Sequence, residues 1–168
     1  MHTQFILMLL FLLQFMPGTS LAKQTKWKLN HISDVDIFGK HEPNVVRMLN
    51  ETYSKVSITI SQNDLSVIDA SMGELCAAKY IEIPTTPLTY FLSRRTVELY
   101  SQLLKYENKT LPEAFSVIII RVPLEKCRII YQEIIKIKDE LILIDKGYLL
   151  FFHNNKEDLP GSLIHGVK

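Results

Sequence analysis

The sequence FSVIIIRV at residues 115–122 is an almost unbroken β-branched run, and it predicts a strand that is buried on both faces. Pro123 ends this strand and can open a helix at its first position. Residues 124–138 carry apolar side chains three or four apart, which predicts a helix. Residues 141–152 then predict a β-hairpin with its turn at residues 145–147. A strand, a crossover helix and a hairpin together form the nucleus of a layered domain.

The rest of the chain mixes helical and strand-like apolar patterns. Leu65, Ile68 and Met72 lie three or four residues apart and predict a helix, whereas residues 56–61 alternate with the period of a strand. We therefore predict an α+β (mixed α/β) domain with a mixed sheet of about five strands and about four helices. Within it, residues 115–152 form a β-α-β-hairpin unit with a right-handed crossover. The other predicted elements are a strand near residues 26–31, a helix over 44–56, a helix over 65–76, a strand over 80–83, a strand over 88–92 and a helix capped by Ser93.

Composition indicates one globular domain without a strong charge bias. The chain has 168 residues, 47% of them hydrophobic, which supplies ample material for one core. The 19 Lys and Arg residues nearly balance the 18 Asp and Glu residues, so the sequence shows no electrostatic footprint for nucleic acid. We therefore expect no nucleic-acid partner.

The first 22 residues predict a secretory signal peptide. They contain no charged side chain, and residues 5–16 form an apolar run that is too short for a bilayer span of about 20 residues. Small residues precede a predicted cleavage site before Lys23. We expect a single secreted, extracellular domain over residues 23–168, with a loose tail of ten residues and no stable membrane insertion after cleavage. The alternative is an uncleaved anchor.

Two further sequence patterns, the sequons and the cysteine pair, are informative in a secreted protein. Asn50 and Asn108 each begin an Asn-x-Thr sequon, and we expect glycosylation of at least one. Cys76 and Cys127 are the two cysteines of the chain, and an oxidising compartment allows a disulfide between them. The alternative is two buried free thiols, because cysteine is also a common core residue.

Specific catalytic motifs are absent from the sequence, which has no phosphate-binding loop, no Gly-x-Ser-x-Gly elbow and no His-Glu-x-x-His metal motif. We therefore predict no cofactor and no metal site. Two histidines beside a lysine could act as acid and base, with His31 or His41 as one and His153 as the other. Arg94 and Arg95, at a predicted helix start, could clamp a phosphate or carboxylate. The alternative places all five side chains on a solvated surface.

These observations favour binding over catalysis. We expect a secreted glycoprotein that acts by extracellular binding, as a ligand, a venom or secretory effector, a toxin or a modulator. Its expected partner is an extracellular protein or receptor. The alternative is a small secreted enzyme, such as a nuclease or an ADP-ribosyltransferase-like toxin with a diverged site.

Overall fold

A computed structural model describes residues 24–62, 64–121 and 133–154 of the chain. Its eight strands pair antiparallel in chain order, and the last strand pairs with the first, which closes the sheet into a barrel. The strands are β1 (Thr25–Ile32), β2 (Val56–Ile60), β3 (Asp64–Asp69), β4 (Gly73–Thr85), β5 (Phe115–Ile120), β6 (Glu133–Ile137), β7 (Glu140–Asp145) and β8 (Tyr148–Asn154). The helices of the described residues are α1 (Pro43–Tyr53), α2 (Pro87–Phe91) and α3 (Arg94–Tyr106).

The predicted mixed sheet of about five strands and four helices is wrong. Strands β5 and β6 are antiparallel neighbours, so the segment between them is not the crossover of a parallel β-α-β unit. Residues 133–137 form β6, although the apolar spacing placed them in a helix. Most of that predicted helix, at residues 124–132, lies outside the described residues.

The predicted helix over residues 65–76 is also wrong, because this segment forms the hairpin of β3 and β4. Leu65, Val67 and Asp69 point inward from β3 with a period of two. The segment therefore fits a strand pattern as well as the helical pattern. Asp69 accepts hydrogen bonds from Ser71 and from the backbone N–H of Met72, which forms the turn. Gly73 follows with φ of 82°, a left-handed conformation that ends the turn.

Several other predicted elements are confirmed. Helix α1, strand β2, strand β5 and the hairpin of β7 and β8 lie where the sequence patterns placed them. Ser93 caps α3 by accepting a hydrogen bond from the N–H of Thr96. The predicted strand at residues 88–92 is wrong, because α2 begins there behind a Thr86 cap.

Alternate residues of the strands divide the core into two clusters. Leu150 and Phe152 of β8 point into the barrel and belong to the same interior cluster as Ile58 and Val67. Phe151 points outward instead, where the side chains of α3 cover it. The outer wall under α3 is therefore as apolar as the interior, which explains why β5 and β8 read as continuous hydrophobic runs. The residues of this outer cluster are Tyr100, Leu103, Leu104, Phe115, Val117, Ile135, Ile142, Leu149 and Phe151.

The two ends of the barrel differ. Helix α1 covers the end that holds the β3–β4 and β7–β8 turns, and its Leu49 and Tyr53 pack into the interior cluster. The Tyr53 hydroxyl also donates a hydrogen bond of 2.8 Å to Asp145. We call this end the α1 end. None of the helices in the described part of the chain has the length and hydrophobicity needed to cross a membrane.

Candidate functional site

The end of the barrel opposite α1 carries polar side chains on its inner wall. Glu82 lies opposite Ile118 and Lys136 lies opposite Leu141, and both partners belong to the interior cluster, so Glu82 and Lys136 face inward. Lys136 Nζ donates to both carboxylate oxygens of Glu82, at 2.8 and 3.0 Å. This ion pair crosses the intervening strand β5. We call this region, together with Tyr80 and Trp27, the polar end.

Tyr80 lies next to the ion pair on the inner face of β4. Its hydroxyl donates a 3.1 Å hydrogen bond to the carbonyl oxygen of Ser61, which ties β4 to the β2–β3 turn. Burial raises the pKa of the Tyr80 hydroxyl, and the negative charge of Glu82 raises it further. The hydroxyl therefore stays protonated at neutral pH and acts as a hydrogen-bond donor.

Trp27 is the single tryptophan of the chain, and its side chain is 7% exposed within the interior cluster. Among the buried side-chain nitrogen and oxygen atoms that the structure describes, Trp27 Nε1 is the one without a hydrogen-bond partner. Leaving a buried donor unpaired costs about 1–3 kcal/mol. A buried indole N–H normally finds an acceptor, so this donor marks a position where a ligand acceptor would be stabilised.

Buried side chains fill most of the barrel interior. Ile58 lies opposite Trp27 and Ile118 lies opposite Glu82, and neither has any exposed surface because neighbouring side chains pack around it. Near the polar end, Ile60 and Ala78 keep 9% and 8% exposure. Neither of the two described cavities includes Trp27, Glu82 or Lys136 in its lining.

Two of the histidines predicted as an acid–base pair lie on the outer wall of the barrel. His31 and His153 do lie on the same outer face of the barrel, on either side of Phe151 in the β1–β8 pairing. The His31 ring stacks on Phe151 with centroids 4.3 Å apart. Both His31 nitrogens are occupied, one by the amide of Asn30 and the other by Glu107, so neither is available to a substrate.

His153 instead belongs to a charged cluster on the outer wall. Its Nε2 contacts Glu140 Oε1, and Lys109 Nζ donates to the same oxygen at 2.6 Å. The Lys109 ammonium also lies 5.1 Å from the centroid of the Phe151 ring. Burial raises the pKa of Glu140, but the hydrogen bonds from Lys109 and His153 outweigh it, so the pKa is lowered overall.

The remaining predicted site residues lie elsewhere. His41 Nδ1 forms a hydrogen bond with the carbonyl oxygen of Asp34 in the loop after β1. Arg94 and Arg95 form the exposed first turn of α3, and neither has an ion pair among the described contacts. Within residues 24–62, 64–121 and 133–154, no group of three or more His, Cys, Asp or Glu side chains is placed to hold a metal ion.

The predicted modification sites are accessible where they are described. Asn50, in the last turn of α1, and Asn108, just after α3, are both exposed. Cys76 is buried in the interior cluster on β4 and is disulfide-bonded. Its predicted partner Cys127 lies outside the described residues, as do the predicted signal peptide and tail. The Cys76–Cys127 bridge and both glycans therefore stay predictions.

Comparison of the chain with protein-family models, curated proteins and solved structures finds no match. We take the polar end as the candidate site on its geometry. No pattern in the sequence brings this site together, because Trp27, Glu82 and Lys136 come from three separate strands. One signal could have pointed to it, since the polar residues Glu82 and Lys136 continue the inward alternation that Ala78 and Ile134 begin.

Proposed function

We propose that the protein is a secreted, extracellular binding protein that takes up a small amphipathic molecule at the polar end of the barrel. The unpartnered N–H of the buried Trp27 supports this proposal most strongly. An eight-stranded barrel has an interior of the size that side chains fill or that one small ligand occupies. An apolar wall with a few polar groups is the usual composition of such a site.

The inner wall suggests how the molecule is oriented. Its apolar part would contact Ile60 and Ala78, while an acceptor atom would receive the N–H of Trp27. The Glu82–Lys136 pair would face the remaining polar atoms at the entrance. None of these groups is arranged as a nucleophile beside a base, which favours binding over catalysis.

Three ten-carbon probes test the proposal, because they differ in the headgroup alone. Decanoate and decanol carry an acceptor oxygen, whereas decylamine, as an ammonium ion, carries none. We expect each acceptor-bearing probe to change the fluorescence of Trp27, the sole tryptophan, and to bind more tightly than decylamine in calorimetric titrations.

Two variants separate the N–H from general packing. Trp27→Phe keeps an aromatic ring and removes the donor, so decanoate and decanol should bind about tenfold more weakly while decylamine is unaffected. Tyr148→Phe is the matched control, because it removes an inward hydroxyl at the α1 end, where Glu42 and Lys40 are its partners. Equal binding of all probes to the wild type and Trp27→Phe, or no binding of any probe, would contradict the proposal.

The wider expectation of an extracellular protein or receptor as a partner remains a prediction. A small-molecule carrier and a receptor ligand are compatible, since the outer wall and loops are separate from the barrel interior. Pull-down from intact cells with and without bound decanoate would show whether a partner recognises one form of the protein.

A further inference from the structure

We propose that an N-glycan on Asn108 is held in a cleft of about 510 Å³ on the outer wall of the barrel, next to its attachment point. This inference concerns the outer surface and does not rest on ligand binding at the polar end. It requires that the chain passes through a glycosylating secretory pathway.

The cleft lies between the end of α3, the segment that follows it and the β6–β7 turn. Its apolar floor comprises Leu104, Pro112, Ile137 and Ile142, from three different parts of the chain. Charged and hydroxyl side chains surround this floor, among them Lys109 and Glu140 of the outer-wall cluster. A cavity of this volume falls within the range of sites that hold small ligands.

Asn108 is positioned at the edge of this cleft by the way α3 ends. The N–H of Asn108 bonds to the carbonyl of Lys105, and that of Lys109 bonds to the carbonyl of Leu104. This pattern is a Schellman motif, in which Asn108 takes the left-handed position with φ of 57°. The cap explains the backbone conformation by itself. It leaves the exposed Asn108 side chain free for modification.

The other two sequon residues, Lys109 and Thr110, both line the cleft. Consecutive Cα atoms are about 3.8 Å apart, so the Cα of Asn108 lies next to a residue of the cleft wall. Covering the apolar floor with the apolar face of a sugar ring removes that surface from water. Lys109, Glu140 and Thr110 supply donors and acceptors for the sugar hydroxyl groups. The position of Asn108 and the chemistry of the cleft therefore favour an N-glycan on Asn108 as the molecule that fills the cleft.

Asn50 offers an internal comparison. Its side chain is exposed on α1, but neither the 510 Å³ cleft nor the second described cavity includes a residue of its sequon. A glycan on Asn50 should therefore extend into solvent without a fixed contact among the described residues. The Asn108 sequon thus lies beside a cavity, and the Asn50 sequon lies beside neither described cavity.

The experiment uses the protein secreted from a eukaryotic host. Thr110→Ala abolishes the Asn108 sequon without changing the left-handed Asn108, and Thr110→Ser keeps both the sequon and the hydroxyl and removes only a methyl group from the cleft. Thr52→Ala removes the Asn50 sequon as the control. Intact mass reports occupancy, and thermal unfolding and hydrogen exchange report the effect.

Loss of the Asn108 glycan should lower Tm by about 2–4 °C and speed exchange at residues 137–142 by at least about threefold. Thr110→Ser and Thr52→Ala should leave both readouts near those of the wild type. An unmodified Asn108 in the secreted protein would overturn the inference. So would Thr110→Ala and Thr52→Ala variants that change Tm and exchange equally.

Discussion

Replacing Glu140 by glutamine tests the electrostatic account of the outer wall. Glu140 is 15% exposed at its side chain, and one of its oxygens accepts from both Lys109 and His153. Glutamine has nearly the same shape but no charge. The substitution therefore leaves the packing of β7 intact and weakens both hydrogen bonds, which leaves the Lys109 ammonium without its counter-ion.

The expected loss at pH 7 is about 1–2 kcal/mol of unfolding free energy. A hydrogen bond to a charged group contributes about 1.5–3 kcal/mol, and the lower end applies because solvent reaches Lys109 and His153. The pKa of Glu140 is lowered from its ordinary 4.5 in the folded state. Its contribution is thus fully present above the unfolded pKa and is lost as the pH falls through the lower, folded pKa.

Urea unfolding of the wild type and Glu140→Gln at a series of pH values measures this contribution. We expect the difference between the two proteins to be largest near pH 7 and to shrink below pH 4.5 as the wild-type carboxylate is protonated. Glu82→Gln is the control, because its one-third-exposed pair with Lys136 should contribute less than about 1 kcal/mol. A constant difference at all pH values would refute the electrostatic account.

Three further predictions concern packing and backbone strain, and urea unfolding checks each. Leu92→Gly should stabilise the protein by about 0.5–1 kcal/mol, because Leu92 is 85% exposed and has a left-handed φ of 58° at the end of α2. A destabilised variant would contradict the strain assigned to Leu92. Gly147→Ala should cost about 1–2 kcal/mol, because φ of 82° is a left-handed conformation that a side chain with a Cβ disfavours; an unchanged midpoint would contradict the turn geometry. Phe152→Ala should lower the unfolding free energy by about 3–5 kcal/mol, because Phe152 is a fully buried interior side chain. Phe38→Ala, at an exposed position, should change it by no more than about 0.5 kcal/mol. Similar losses in the two variants would contradict the assignment of Phe152 to the interior and Phe38 to the surface.

Local signals in the sequence predicted many single elements. The Pro43 start of α1, the Ser93 cap of α3 and the turn before Tyr148 act over a few residues, and each of these elements lies where expected. Closure of the barrel depends instead on the pairing of β1 with β8, which are more than a hundred residues apart. No short-range pattern encodes that pairing.

Strands covered on both faces caused the main errors. Because α3 packs on the outer wall, Ile134, Ile135 and Ile137 all contribute to a core, and such a run matches a helix as well as a strand. The candidate site was missed for a related reason. Residues on different strands meet at the polar end only after the barrel closes. The histidines were predicted as acid and base from their chemistry alone.

The indole N–H resonance of Trp27 offers the most direct test of the proposed binding site. With one tryptophan in the chain, a ¹⁵N-labelled protein gives a single indole signal, and titration with decanoate follows that atom specifically. The account predicts a downfield shift of this signal as the N–H gains an acceptor, together with shifts of Tyr80 and Lys136 amides and little change in α1. An indole signal that stays in place while decanoate binds would show that the unpaired donor is not part of a ligand site.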